Sequence, residues 1–403
     1  MLNVHVERIR GVESRRLEGK KIVLGVTGSI AAVECVKLAR ELARRGAEVF
    51  AVMSESAQKI IHPYALEFAT GNKVVTEITG MIEHVNYLGS DGFADLYLIA
   101  PATANTISKI ANGIDDTPVT TFATTALGAR RPVLIAPAMH AVMIENPMVQ
   151  ENIEKLKKFG VEFIEPKFAE GKAKFPEIDK ICLHVERRLY SKEFDGKKVL
   201  VSAGPTYEQI DPVRFISNRS SGLMGKEIAL ELWRRGAKVV LVSSKKFEID
   251  LPDFKEIHVW SVRDMLKAVL KEIEGCSLFV SSAAPADFMM EMQDKKIKTA
   301  PELILRLKEA PKIIKEVRKV YSGDIIGFKA ETGVGDEELV SIAKERLGAE
   351  NLAMVVANDV LEKGMGTEET RVAVVTSKRT QWFEGRKTVI AQKIVQSYIE
   401  DCL

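Results

Sequence analysis

Cysteine is sparse in these 403 residues: Cys35, Cys182, Cys276 and Cys402 lie far apart and form no CxxC pair or zinc-ligand spacing. Such usage excludes a disulfide framework and fits free thiols in a reducing cytoplasm. Charge of one sign is also missing. Lys and Arg number 58 against 56 Asp and Glu, a net +2, so no bulk field points to nucleic acid. No apolar run reaches membrane-spanning length, and the opening "MLNVHVERIRGVESRRLEGK" has no apolar leader core. Glutamine is scarce beside abundant Lys, Arg and Glu, a composition that leans toward a heat-adapted source. No GxGxxG turn is found, and the strands that would carry a ribose-binding acid end instead in Ser54 and in Ser243-Ser244-Lys245. Both gaps weigh against a dinucleotide cofactor, although Glu55 stands one residue beyond the first of these ends.

The chain is too long for one ordinary core, and 46% apolar with 28% charged residues describe a globular protein of two domains. The expected boundary falls in "ERRLYSKEFDG", giving domains 1–190 and 191–403. One pattern is written twice. "GKKIVLGVTGS" leads to "LARELARRGAEVFAVMS", and "GKKVLVSAGPT" leads to "IALELWRRGAKVVLVSS". Each reads as apolar strand, small-residue turn, amphipathic helix and second apolar strand. Gly46 and Gly236 suit the position just past a helix end. Gly19 and Gly196 are 177 residues apart, whereas Gly46 and Gly236 are 190 apart, so the second copy is longer by 13 residues. The extra length falls in "SAGPTYEQIDPVRFISNRSSGLMGKEIA". Further strands are expected at 96–101, 133–138, 278–284, 324–331 and 354–359. Short apolar runs alternating with helices predict two doubly wound, mostly parallel α/β sheets with crevices at the strand C-termini.

Those crevices carry the polar punctuation. A helix start with open amides suits phosphate, and "TGSIAA" (27–32) offers Gly28 and the Ser29 hydroxyl. "APATANT" (100–106) and "APAMH" (136–140) follow buried strands, and Thr103 and Asn105 are suited to hydrogen-bonding a flat heteroaromatic ring. His84 precedes the "ADLYLIAP" strand; His62 and His184 read as structural, and His5 and His258 carry no signal.

"TGSIAA", "APATANT" and "PAMHAVMIENP" resemble the signatures of the homo-oligomeric flavin-containing cysteine decarboxylases. "AGPTYEQIDPVRFISNRSSGLMG", "SSAAPADF", "KIKT", "GFKAET" and "VANDV" resemble phosphopantothenate–cysteine ligase. Both sets in one chain, in this order, resemble the bifunctional enzymes of coenzyme A biosynthesis over about residues 20–400. The resemblance implies a flavodoxin-like flavin domain followed by a Rossmann-like ligase domain. It implies FMN in the first, which would accept electrons from the thiol of phosphopantothenoylcysteine so that the carboxylate leaves as CO₂. Gly28 and Ser29 would hold the flavin phosphate, Ser54, Thr103 and Asn105 would surround the ring and ribityl chain, and His84 would be the base at the substrate thiol. His140 replaces the Asn of the family's "PAMN" and would meet the substrate carboxylate. The family lid carries a proton-donating Cys; here the stretch is "AEGKAKFPEIDKI", with Lys174 near that position and Cys182 farther on read as structural.

For the second half the resemblance implies CTP-dependent coupling of phosphopantothenate with cysteine through an acyl-cytidylate. Ser220 and Ser221 would meet phosphate, Asn218 would process the acyl-nucleotide, and Arg214 would clamp an anionic substrate. Asp287 would accept from the cytosine amino group, with Phe328 packed near the base. Lys296 would offset phosphoryl charge, beside Lys298; Thr299 stands where the family has a further lysine. Lys344 and Arg346 are placed to reach the triphosphate, with Glu350 where a second lysine is common. Mg²⁺ is expected with the triphosphate, its ligands unassigned. The resemblance also implies a homo-oligomer, trimeric through the flavin halves and dimeric through the ligase halves, up to a dodecamer. Two other classes stay open: a two-domain NAD(P) oxidoreductase and a non-catalytic flavin-binding regulatory protein.

Overall fold

The computed structural model describes residues 4–361 and 365–403. The chain divides into two compact units, Met1–Tyr190 and Ser191–Leu403.

The first unit is a five-stranded parallel sheet. Its strands are β1 (Lys21–Val26), β2 (Glu48–Met53), β3 (Leu96–Ala102), β4 (Val133–Pro137) and β5 (Glu162–Phe163), in the order β2-β1-β3-β4-β5. The central strands are apolar at nearly every position because helices cover both faces; Leu96–Ala102 is buried throughout. Two core clusters follow, one around Leu24, Leu38 and Leu98, the other around Tyr97, Ile99 and Phe122. Strand order reverses between β1 and β3, so the corner at their C-terminal ends is a natural crevice.

The second unit holds an eight-stranded sheet. Its strands are β6 (Lys198–Ala203), β7 (Lys238–Ser243), β8 (Phe254–His258), β9 (Cys276–Ser281), β10 (Asp324–Glu331), β11 (Met354–Asp359), β12 (Glu369–Thr376) and β13 (Thr380–Arg386). The order is β8-β7-β6-β9-β10-β11-β12-β13, parallel through β11 and antiparallel for the last two pairings. Strand β8 escapes the sequence reading because it is an edge strand of half-exposed Phe254, Glu256 and Ile257 rather than an apolar run. The β12–β13 hairpin likewise breaks the strand–helix alternation.

The duplicated pattern extends to individual bonds. Leu17 N donates to Arg45 O (2.8 Å), and Phe194 N to Arg235 O (3.0 Å). Glu48 N donates to Lys20 O and Lys238 N to Lys197 O, both at 2.9 Å. Arg45 pairs with Glu41 one turn earlier (3.2 Å), as Arg235 pairs with Glu231 (3.1 Å). Gly46 and Gly236 have φ of +104° and +98°, and a side chain at either would strike the backbone of Glu18 or Asp195.

Candidate functional site

In the first unit, the ends of β2, β1 and β3 lie side by side. Thr27 ties them: its hydroxyl donates to Pro101 O (2.8 Å) and accepts from Thr103 N (3.1 Å). Gly28 sits against Ser56, where a Cβ would lie 2.5 Å from the Ser56 Cβ, so the turn admits no side chain. Ser29, Ser54 and Thr103 each cap the segment that follows, accepting from Ala31 N (3.4 Å), Ala57 N (3.2 Å) and Thr106 N (3.3 Å). A hydroxyl that accepts from its own backbone keeps its proton to donate outward. The segment after Ser29 is a 3-10 turn, Ile30–Glu34, before the helix Cys35–Arg44 starts. Asn105 is exposed in the first turn of Ala104–Ala111. Gly28, Ser29, Ser54, Thr103 and Asn105 thus share one corner, rich in amides and hydroxyls. It suits the phosphate and polar chain of a flavin nucleotide.

His84 stands in the helix Glu83–Leu88, edge-on to Phe122 with ring centroids 6.4 Å apart. Its Nδ1 is buried with no hydrogen-bond partner among the described residues. No recorded hydrogen bond or ring contact among the described residues joins it to the Thr27–Thr103 corner. The lid stretch, which has no strand period, folds as a hairpin. Lys167–Ala169 pairs with Lys172–Lys174, and the latter pairs with Met139–His140, placing His140 opposite Lys172. His140 is exposed; Lys174 is held by Glu170 (2.8 Å). Lys172, not Lys174, is the lysine directly across from His140, a register that only strand pairing reveals. Cys182 is buried in the helix Ile178–Leu189, and burial pushes its thiol up to about 12. Burial in the helix fits the structural reading of this residue.

In the second unit, the long turn is a small structure of its own. Gly204 (φ +81°) leaves β6, and Glu208–Gln209 pairs antiparallel with Phe215–Ile216. Gly222 (φ +75°) caps the helix Leu223–Arg234. Gly225 lies so close to β6 that a Cβ would meet Ala203 Cβ at 2.5 Å. The spacing is that of a nucleotide-binding glycine turn interrupted by a hairpin. Asp211 closes the hairpin and is fully buried. Its carboxylate accepts from the amides of Val213 (2.8 Å), Arg214 (2.9 Å) and Ile297 (3.1 Å), and from the Arg214 guanidinium (2.8 Å). Burial alone would raise its pKa, but these bonds outweigh it and hold the carboxyl below the usual aspartate range. Arg214 also donates to Ile297 O (3.2 Å), so this residue, expected as a substrate clamp, pins the Lys296–Lys298 segment to the hairpin.

A cleft of about 720 Å³ opens beside the hairpin. Asn218, Ser220, Ser221, Asp287, Phe328 and Arg346 line it together. Asn218 spans two loops, donating from Nδ2 to Ala284 O and accepting at Oδ1 from Ser220 N (3.0 Å). Ser220 and Ser221 stand at the helix start with their hydroxyls turned toward the amides of Gly222 and Leu223. The cleft gathers only some of the cations expected there. Lys296, Lys298, Lys344 and Arg214 are not among the lining residues. Lys344 and Arg346 are two apart on the helix Asp336–Ala349 and so face different sides. Arg346 does face the cleft, but its guanidinium donates to Phe328 O (2.6 Å) and Glu350 (3.0 Å), bracing the wall. Three cations that the sequence reading missed line the cleft: Lys312, Lys329 and Lys387. Lys387 opens the last helix, is 6% exposed, and burial pulls its ammonium below the usual lysine range. An inward lysine at a helix start is the one available signal, and hydrophobic periodicity does not register it. Among the described residues no cluster of three or more His, Cys, Asp or Glu could hold a metal, and no helix is long and apolar enough to cross a membrane.

Residues 10–190 match the family model described as Flavoprotein, and residues 194–401 match the DNA/pantothenate metabolism flavoprotein C-terminal domain. The chain is 55% identical over 378 residues to the coenzyme A biosynthesis bifunctional protein CoaBC of Thermococcus kodakarensis, covering 92% of each. It is 40% identical to that of Methanocaldococcus jannaschii, covering 96% of this chain and 95% of the relative. With the Bacillus subtilis protein it shares 36% identity over 87% of this chain and 88% of the relative. The chain belongs to the CoaBC family of bifunctional coenzyme A biosynthesis enzymes. The motif resemblance is thereby borne out, and the family accounts for why one chain carries both domains. Neither an NAD(P) oxidoreductase nor a non-catalytic flavin protein explains the pair of matches.

Proposed function

We propose that the second unit couples 4'-phosphopantothenate to cysteine at the expense of CTP, and that the first unit decarboxylates the resulting phosphopantothenoylcysteine to 4'-phosphopantetheine with FMN. One observation carries the reading: Asn218, Ser220, Ser221, Asp287 and Phe328 converge on one cleft at the mouth of a glycine-turned helix. A carboxylate is a poor electrophile and must first be joined to a nucleotide. Ser220, Ser221 and the amides of Gly222–Gly225 would hold the triphosphate. Asn218 would orient the acyl-cytidylate for attack by the cysteine amine, since its amide is fixed at both ends. Asp287 and Phe328 would take the base. Mg²⁺ would travel with the triphosphate, held largely by phosphate oxygens. Lys296 and Lys298 keep their proposed phosphoryl roles only if the pinned 296–298 segment turns inward when substrate binds.

In the first unit FMN would supply the two-electron sink that lets a plain carboxylate leave as CO₂. Gly28 and Ser29 would hold its phosphate, and Ser54, Thr103 and Asn105 its polar chain and ring. His84 would take the substrate thiol proton at Nδ1, the atom that has no protein partner. His140 would meet the substrate carboxylate, and Lys174 would return the proton. The reading includes a homo-oligomer, trimeric through the flavin units, dimeric through the ligase units, up to a dodecamer. It also places the enzyme in the cytoplasm, in keeping with four free thiols.

The test is incubation with phosphopantothenate, cysteine, Mg²⁺ and each nucleotide in turn, with products read by mass. Phosphopantetheine with CTP is the expected product, together with CMP, pyrophosphate and CO₂. Absence of any coupled product with every nucleotide overturns the ligase half. A purified protein without a flavin spectrum overturns the decarboxylase half.

A further inference from the structure

The Asp287–Lys312 pair is fixed by the fold. Phe288–Met289 runs antiparallel to Lys308–Glu309, with Phe288 opposite Glu309 and Met289 opposite Lys308. Ala310 N donates to Asp287 O (2.9 Å), which closes the ribbon and brings Pro311-Lys312 alongside. Lys312 Nζ then lies 2.6 Å from Asp287 Oδ1. Both residues line the cleft, as does Phe328. The Asp287 side chain is 74% exposed and that of Lys312 43%, so the partnership is a weak one that yields easily to an incoming group.

The chemistry of the pair differs from that of a lone aspartate. An ionised carboxylate only accepts, and it would repel any carbonyl edge. Here Oδ1 is engaged by Lys312, Oδ2 has no hydrogen-bond partner among the described residues, and the ammonium keeps two further N–H donors. The pair therefore offers an acceptor beside a donor. Cytosine presents the complement: an N4 amino donor next to the N3 acceptor. Uracil, of the same size and shape, presents the reverse, an O4 acceptor next to an N3–H donor.

We propose that Lys312 is a second specificity residue of the nucleotide site, which with Asp287 reads the 4-amino edge of the base and so selects CTP over UTP. The proposal rests on the ligase reading above. Asp287 Oδ2 accepts from N4, and Lys312 donates to N3.

The experiment measures coupling kcat and KM with CTP and with UTP for the wild type, Lys312→Met and Asp287→Asn, with CO₂ release from phosphopantothenoylcysteine as the folding control. The wild type is expected to favour CTP by about tenfold or more in kcat/KM. Lys312→Met is expected to raise KM for CTP about tenfold, leave kcat within about twofold, and narrow the CTP/UTP ratio. Asp287→Asn, which can both donate and accept, is expected to bring the ratio near one. An unchanged ratio and KM in Lys312→Met overturn the proposal. Equal losses for both nucleotides also overturn it, because they place Lys312 on the phosphates. A wild type that uses CTP and UTP equally defeats base reading while the ligase assignment stands. Failure with every nucleotide defeats the ligase assignment and the proposal with it.

Discussion

The two units begin alike and part at a single turn. Up to Lys21 and Lys198 they share backbone bonds, and both helices end in a Glu–Arg pair followed by a left-handed glycine. In the first unit the turn after β1 is short, and the corner is finished locally by Thr27, whose hydroxyl holds the neighbouring loop. In the second, 17 residues separate Gly204 from Gly222, and the corner is finished from a distance. Asp211 draws in residue 297, Asn218 draws in Ala284, and Glu208 accepts from Val262 N (2.9 Å). The short turn leaves a compact corner, as the proposed flavin site requires. The long turn recruits loops from the rest of the sheet, as the proposed site for several successive ligands requires.

The largest expected effect tests whether the two corners work independently. His84→Asn should lower CO₂ release by about 10²-fold or more, because it removes the proposed base, while CTP-dependent coupling stays intact. Both rates are measured on one preparation. Equal loss of both would mean that the units do not hold separate sites.

Asn218→Asp comes next. The substitution removes the Nδ2 donor to Ala284 O and sets a charge against that carbonyl. Coupling should fall by about tenfold or more, with acyl-cytidylate accumulating in the mass spectrum, while decarboxylation is unaffected. Normal coupling would remove the role assigned to Asn218 and reduce the long turn to a spacer.

Much of this contrast was legible before the fold. The duplicated pattern, the strands at 324–331 and 354–359, and the 13 extra residues are visible because apolar runs report burial directly. What stayed hidden depends on pairing rather than burial. The Glu208–Ile216 hairpin and the lid hairpin are too short and polar to show a period, and the Asp287–Lys312 pair depends on a two-residue ribbon. Lys296, Lys298 and Lys344 lie off the cleft lining for a related reason. Lys296, Lys298 and Lys344 were assigned by motif position, whereas the side a residue faces follows from helix phase and from the Asp211–Arg214 clip.

A smaller effect sharpens the contrast through pH. Asp211 has a depressed folded-state pKa, so its contribution to stability is fully present above the unfolded value of about 3.9 and is lost as pH falls through the folded value. Asp211→Asn should weaken coupling severalfold by loosening residues 296–298, leave CO₂ release unchanged, and flatten the loss of ligase-unit melting temperature below about pH 4. An acid-melting profile identical to that of the wild type would show that the clip does not hold the turn.

The smallest effect concerns the lid, the first unit's counterpart to the long turn. Among the described residues Lys174 pairs with exposed Glu170, a solvent-screened surface contact that adds little to stability. The lid hairpin instead owes its position to backbone pairing with Met139–His140, which a side-chain truncation leaves in place. Lys174→Ala should therefore leave the melting temperature almost unchanged, and any slowing of CO₂ release can be read as chemistry rather than unfolding. A severalfold slowing is expected if Lys174 returns the proton. If instead Lys172→Ala slows the reaction and Lys174→Ala does not, strand register has placed the working ammonium opposite His140. Lid function would then follow pairing geometry, as it does in the long turn, rather than position along the motif.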